Sequence, residues 1–250
     1  MTTATPTATA TTPTAGTDRP LGAVRTAPPV PPTPDVTRTE RLSARFGVAF
    51  ATCQLLVMVA MATLVLPHGG SPTDPALERG QRVLDAETFY RVGNYAFMLA
   101  GTLLIGFLGA VGVRLRRADG SGALATVAVA SGTLLALIWP FGGVLHDVAL
   151  ETAAGGTDLG ILAGWDSAAP FTLAFSVLPR LFFIGAVVLG LRLSGTGRWL
   201  QRVGLVLLPV SLVGSATLVS GALFPVLALS TLGYELWVGA LAWHWLRSDR

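Results

Sequence analysis

The chain has 250 residues, of which 52% are hydrophobic and only 12% charged, with a formal net charge of +3. A soluble domain carries about twice that share of charge, so a water-soluble globule is excluded, and so small a basic excess does not describe a nucleic-acid binder. All 17 positive side chains are arginine, and the lone Cys53, set in an apolar stretch, excludes an intrachain disulfide or a cysteine-ligated metal cluster.

Residues 1–40 contain 13 Thr, 8 Pro and 6 Ala. That is too little apolar surface to offset the entropy of ordering, so a disordered tail is expected over residues 1–42. No apolar core of a secretory signal follows the start at the usual distance, and the tail is expected to precede the first span directly.

Over residues 43–250 the apolar residues gather into stretches of about 20, each enough to cross a hydrocarbon core of about 30 Å. The predicted spans are Phe46–Leu66, Val92–Val113, Ala123–Val144, Phe171–Leu191, Val203–Leu223 and Pro225–Leu246. The fold class is therefore all-α, a polytopic six-helix transmembrane bundle. Between the first two spans, Thr73-Asp74-Pro75 has the pattern of a helix start. It predicts a short surface helix over the outer mouth, with Asp85 capping the helix that enters the second span. Ala153-Ala154-Gly155-Gly156 is expected to be a flexible loop.

Orientation follows from arginine placement, because basic flanks are retained in the cytoplasm. With the N-terminus inside, the inner flanks carry ten arginines (41, 45, 114, 116, 117, 192, 198, 202, 247 and 250) and the outer loops carry three, Arg79, Arg82 and Arg91. An N-in, C-in topology is expected. It places Trp199, Trp243 and Trp245 at the inner interface, Tyr90, Tyr95 and Trp165 at the outer one, and an excess of acidic residues outside.

Close helix packing inside a membrane depends on small residues. Ala96, Ala100, Gly106, Gly109 and Gly112 of the second span, and Ser211, Gly214, Thr217 and Gly221 of the fifth, are expected to face the interior. Pro140, Pro179 and Pro209 predict kinks in the third, fourth and fifth spans.

Charges near the middle of a span are costly, and two occur here: Arg180 in the fourth span and Glu235 in the sixth. Each precedes an inner arginine, Arg192 or Arg247, by 12 residues, which puts both roughly 18 Å above the inner boundary at about 1.5 Å per residue. An unpaired ion at that depth costs about 2.5 to above 10 kcal/mol, so a direct Arg180–Glu235 ion pair is expected. Tyr234, Ser176 and Thr231 are its expected polar neighbours, and Ala228, Gly239 and Ala242 share the face of Glu235. The pair is either a strut that fixes helix register or a proton- or substrate-binding carboxylate gated by an arginine.

A second polar group, His146, Asp147 and Glu151, lies at the outer end of the third span, with His68 and Asp166 in the flanking loops. It offers weak metal ligands without an HxxxH or HxxE pair, so no metal is expected. His244 is expected at the inner interface. The three histidines supply no axial pair for haem, and no cofactor is expected.

Arg180-Leu181-Phe182-Phe183, Gly190-Leu191-Arg192-Leu193-Ser194 and Arg198-Trp199-Leu200-Gln201-Arg202-Val203-Gly204 form a helix that ends in an Arg/Ser turn and re-enters on Arg-Trp-Leu. Over the last three spans this resembles small multi-pass proteins of high-GC bacteria grouped in domain-of-unknown-function families. The resemblance implies no activity or cofactor. Arginine without lysine, with abundant Ala and Gly, is also the composition of a high-GC genome and points to a bacterial plasma membrane.

Three function classes remain. The least demanding is a non-enzymatic bundle that binds a membrane protein partner, another copy of itself or a small lipid-like ligand, in contact with the lipid bilayer and not with nucleic acid. The alternative is a small proton- or ion-coupled transporter or transporter subunit using Glu235 and Arg180, although no matched halves mark the sequence. An enzyme is not expected, because no nucleophile with its base and no acid–base pair is present.

Overall fold

The computed structural model describes residues 34–60, 62–63, 75–155 and 158–248. Every regular element among them is helical: α1 (Pro34–Ala60), α2 (Ala76–Asp85), α3 (Glu87–Asp119), α4 (Ala123–Ala154), α5 (Leu159–Phe175), α6 (Val177–Leu193), α7 (Arg198–Ser215) and α8 (Phe224–Ser248). Two 3-10 turns, Ala216–Leu218 and Gly221–Leu223, connect α7 to α8.

Six of these stretches are long and apolar enough to cross a membrane: Arg38–Ala60, Glu87–Asp119, Ala123–Glu151, Phe171–Leu193, Arg198–Leu218 and Gly221–Ser248. They match the six spans read from the sequence. Large apolar side chains stay exposed along them, among them Leu56, Leu137, Phe141, Phe182, Val206 and Leu229. A belt of this kind is an aggregation hazard in water and the normal outer surface of a bundle in lipid, so the chain is a multi-pass membrane bundle.

The spans form a closed ring in chain order. α1 packs on α3, α3 on α4, α4 on α6, α6 on α7, α7 on α8, and α8 back on α1. Phe107, Leu104, Phe183, Tyr234 and Trp237 fill the middle. The arginine-bearing helix termini gather at one end, hereafter the basic end, where Glu40 of α1 meets Arg114 and Arg117 of α3. At the opposite, acidic end, α2 packs on α5, and its Val83 joins a small core of Tyr90, Ala149, Leu150 and Leu162.

Small residues set the helix spacing. A Cβ at Gly106 would lie 2.7 Å from the Phe46 ring of α1, and one at Gly109 would lie 2.9 Å from Ser43 Oγ. Ser43 goes further. Its hydroxyl donates to the Gly106 carbonyl and accepts from Ala110 N–H at 2.7 Å, which inserts α1 into the backbone ladder of α3. In α7, a Cβ at Gly214 would lie 2.9 Å from the Leu227 Cα of α8, and Ser211 is buried. Gly221 has nothing within 4 Å and belongs to a 3-10 turn, so it takes no part in this contact.

Several local expectations need correction. Residues 34–42, assigned to the tail, belong to α1, while residues 1–33 lie outside the described residues, as do His68, Thr73 and Asp74. Asp85 does not cap α3; it ends α2 and accepts from Gln81 Nε2 at 3.0 Å. The presumed loop at Ala153-Ala154 is the last turn of α4, and residues 159–170, read as connection, form most of α5. Asp158 caps α5 by accepting from Gly160 N–H at 2.8 Å. Tyr90 and Trp245 are buried rather than interfacial. Tyr90 packs edge-on against His146, and Trp245 stacks on Phe107.

Candidate functional site

The fourth span passes from α5 (ending at Phe175) to α6 (starting at Val177) through Ser176, which keeps helical dihedrals; Ser176 N–H donates to the Thr172 carbonyl at 3.0 Å and Arg180 N–H to the Ser176 carbonyl at 3.1 Å. Pro179 supplies no N–H, so only the helical bond to the Phe175 carbonyl is lost there. Arg180 follows at once and is fully buried. Its Nη2 donates to Ser176 Oγ at 2.8 Å and its Nη1 to Thr231 Oγ1 of α8 at 2.9 Å. The guanidinium carbon lies 5.3 Å from the Tyr234 ring centroid. Both hydroxyls pass their own protons to backbone carbonyls, Ser176 to Leu173 at 2.6 Å and Thr231 to Leu227 at 2.9 Å. Their lone pairs therefore face the guanidinium, which is held by dipoles and a ring face.

The structure brings Arg180, Ser176, Thr231 and Tyr234 together, and Glu235 is buried one residue beyond Tyr234 at 1% exposure. The direct Arg180–Glu235 ion pair expected from the sequence is not formed. Among the described residues neither carboxylate oxygen has a hydrogen-bond partner, and Arg180 Nε and Tyr234 Oη are likewise unpartnered. Register explains the difference. The guanidinium is captured at Thr231, and Glu235 lies one turn, about 6 Å, further along α8.

Two further polar residues reach this level. Ala51 of α1 meets Gly239 of α8, where a Cβ would be 2.6 Å away, and Ala242 similarly meets Gly47 at 2.8 Å. Because α1 and α8 run antiparallel, Gln54 arrives beside the Glu235 turn. It is fully buried with both amide atoms unpartnered. On α7 the contacts Gly214–Leu227 and Leu207–Gly233 bracket Ser211 at the level of Thr231, again buried and unpartnered. Sequence reasoning passed over Gln54 and read Ser211 only as a close-packing residue. Gln54 is uncharged, yet its place in the middle of an apolar helix was a legible signal.

The ion pairs at the basic end were also missed. Glu40, 5% exposed, places Oε1 2.7 Å from Arg114 Nε and Oε2 2.8 Å from Arg117 Nη1. The first contact lies off the hydrogen-bond direction and is ionic in character. Arg114 also lies 5.1 Å from the Trp245 ring centroid, so one cluster links α1, α3 and α8 where the ring closes. A single carboxylate next to Arg41 and Arg45 was the available sequence signal.

At the acidic end, His146, Asp147 and Glu151 do not converge. His146 packs on Tyr90, Asp147 accepts from Asn94 Nδ2 at 2.7 Å, and Glu151 pairs with Arg91 Nη2 at 2.8 Å. Among the described residues no three metal-ligating side chains come together.

No family model matches the chain, and neither the curated proteins nor the solved structures yield a match. The function therefore has to be argued from the geometry.

Proposed function

We propose that the chain is a non-enzymatic membrane bundle that binds a proton or small polar ligand at the Arg180–Glu235 cluster, in the manner of a small coupled transporter or transporter subunit. The observation that carries this reading is Glu235, buried between helices with no protein partner for either oxygen. A strut would close on its counter-ion, because an uncompensated buried charge costs several kcal/mol. A carboxylate left open beside a guanidinium whose two Nη groups are held by hydroxyls suits a group that exchanges a proton or ligand.

The arginine asymmetry supports an N-in, C-in arrangement in a bacterial plasma membrane. Replacing Cys53 and introducing single cysteines in the tail and in α2 tests this. The tail cysteine should be labelled by an impermeant reagent only after the cells are opened, and labelling from outside intact cells would reverse the topology.

A lipophilic carbodiimide, which modifies protonated carboxyls, tests the site itself. In purified protein, mass spectrometry should find Glu235 modified to an extent that falls reversibly as pH rises, with no product in Glu235→Gln. Modification at no pH, or to the same extent at every pH, would return the cluster to a structural role.

A second reading, a bundle that holds a lipid-like ligand, is favoured by an apolar groove of about 260 Å³ between α1 and α3. Cys53, Leu56, Val57 and Ala60 face Phe89 and Ala96 across it.

A further inference from the structure

A groove of about 410 Å³ opens at the basic end on the seam between the first and last spans. Arg41 and Arg45 of α1 and Arg247 of α8 stand along it, Trp243 forms one wall, and Val48 and Leu246 contribute apolar surface. Residues some 200 positions apart in sequence thus bring three guanidinium groups to one concavity.

The local acid does not neutralise Arg45 or Arg247. Glu40, the carboxylate nearest in sequence to Arg41, is buried and already held by Arg114 and Arg117. Among the described residues no carboxylate pairs with Arg45 or Arg247. Arg247 instead lies 5.0 Å from the Trp243 ring centroid, which fixes its guanidinium at the mouth of the groove.

We propose that this groove binds the phosphate headgroup of an anionic phospholipid. Arg45 and Arg247 match the charge, and arginine forms bidentate bonds with phosphate oxygens. An amphipathic tryptophan and an apolar floor suit the glycerol region at the membrane interface, which a free anion would not require. The groove is separate from the core cluster and would hold such a headgroup in either leaflet.

The test uses the full-length protein in nanodiscs or mixed micelles containing phosphatidylglycerol or phosphatidylcholine, with bound lipid counted by native mass spectrometry. Phosphatidylglycerol should be retained in preference. Arg45→Gln combined with Arg247→Gln should weaken its retention about 30-fold, as expected for two interfacial arginines. Arg198→Gln with Arg202→Gln, which removes the same charge at the same end but outside the groove, should leave retention unchanged. Unfolding temperatures of both double variants serve as the folding check. Equal loss in the two double variants would reduce the effect to general surface charge and overturn the proposal. So would equal retention of phosphatidylcholine, or full displacement by inorganic phosphate, which would make the groove a free-anion site.

Discussion

Replacing Glu40 by Gln is the sharpest probe of how the ring is closed. The change keeps the shape of the side chain but removes its charge and one acceptor oxygen, so it cannot serve both arginines. Arg117 is 49% exposed, and losing its contact costs about 0.2–1 kcal/mol because water screens it. Arg114 is 20% exposed and Glu40 only 4%, so losing that ionic contact costs about 1.5–3 kcal/mol, less than the roughly 3–5 kcal/mol of a fully buried pair. Together the loss is about 2–4 kcal/mol. At about 2–4 °C per kcal/mol for a chain of this size, unfolding should occur about 4–16 °C lower. Heating in detergent followed by the loss of the monodisperse size-exclusion peak reads this directly. Glu78→Gln, whose pair with Arg82 is exposed at 3.7 Å, provides the control and should not shift. Because Glu40 is buried, the deficit should persist in high salt, which screens exposed pairs. If Glu40→Gln unfolds with the control, the cluster does not close the ring and the reasoning fails.

Four other substitutions test the packing and the surface ion pairs. Gly214→Ala drives a methyl into the α8 backbone at Leu227 and should destabilise by about 1–3 kcal/mol. Gly185→Ala, with nothing within 4 Å, should be neutral or stabilising by about 0.5–1 kcal/mol, so thermal unfolding of the two side by side checks the helix spacing. Ser43→Ala removes the acceptor for Ala110 N–H and should cost about 1–3 kcal/mol, with faster amide exchange at Ala110 as the specific readout. Arg91→Gln breaks its contacts to Glu87 and Glu151 at the solvent-exposed acidic end and should leave the unfolding temperature unchanged.

Much of the fold could be read from the chain, because membrane spans are set by local composition. All six spans were legible, and so were the close-packing roles of Gly106, Gly109 and Gly214. The misreadings have physical causes. α5 was read as connection because its helicity depends on packing against α2 and α4. Asp85 satisfies Gln81 in its own helix and so does not cap the next. Tyr90 and Trp245 were assigned to interfaces by depth, which gives no information about the direction a ring faces.

What the sequence determined by itself was the number of spans and the position of every charge along them, since hydropathy and helical rise are properties of the local chain. Which charges meet was decided only in three dimensions. Arg180 and Glu235 are both buried near Tyr234, yet the guanidinium stops one turn short at Thr231, because rotation and register on α6 and α8 follow the packing of the whole ring. The same closure unites Glu40 with Arg114 and gathers Arg45 and Arg247 on one groove. Those pairings join residues 74 and 202 positions apart, so local pattern carries no record of them.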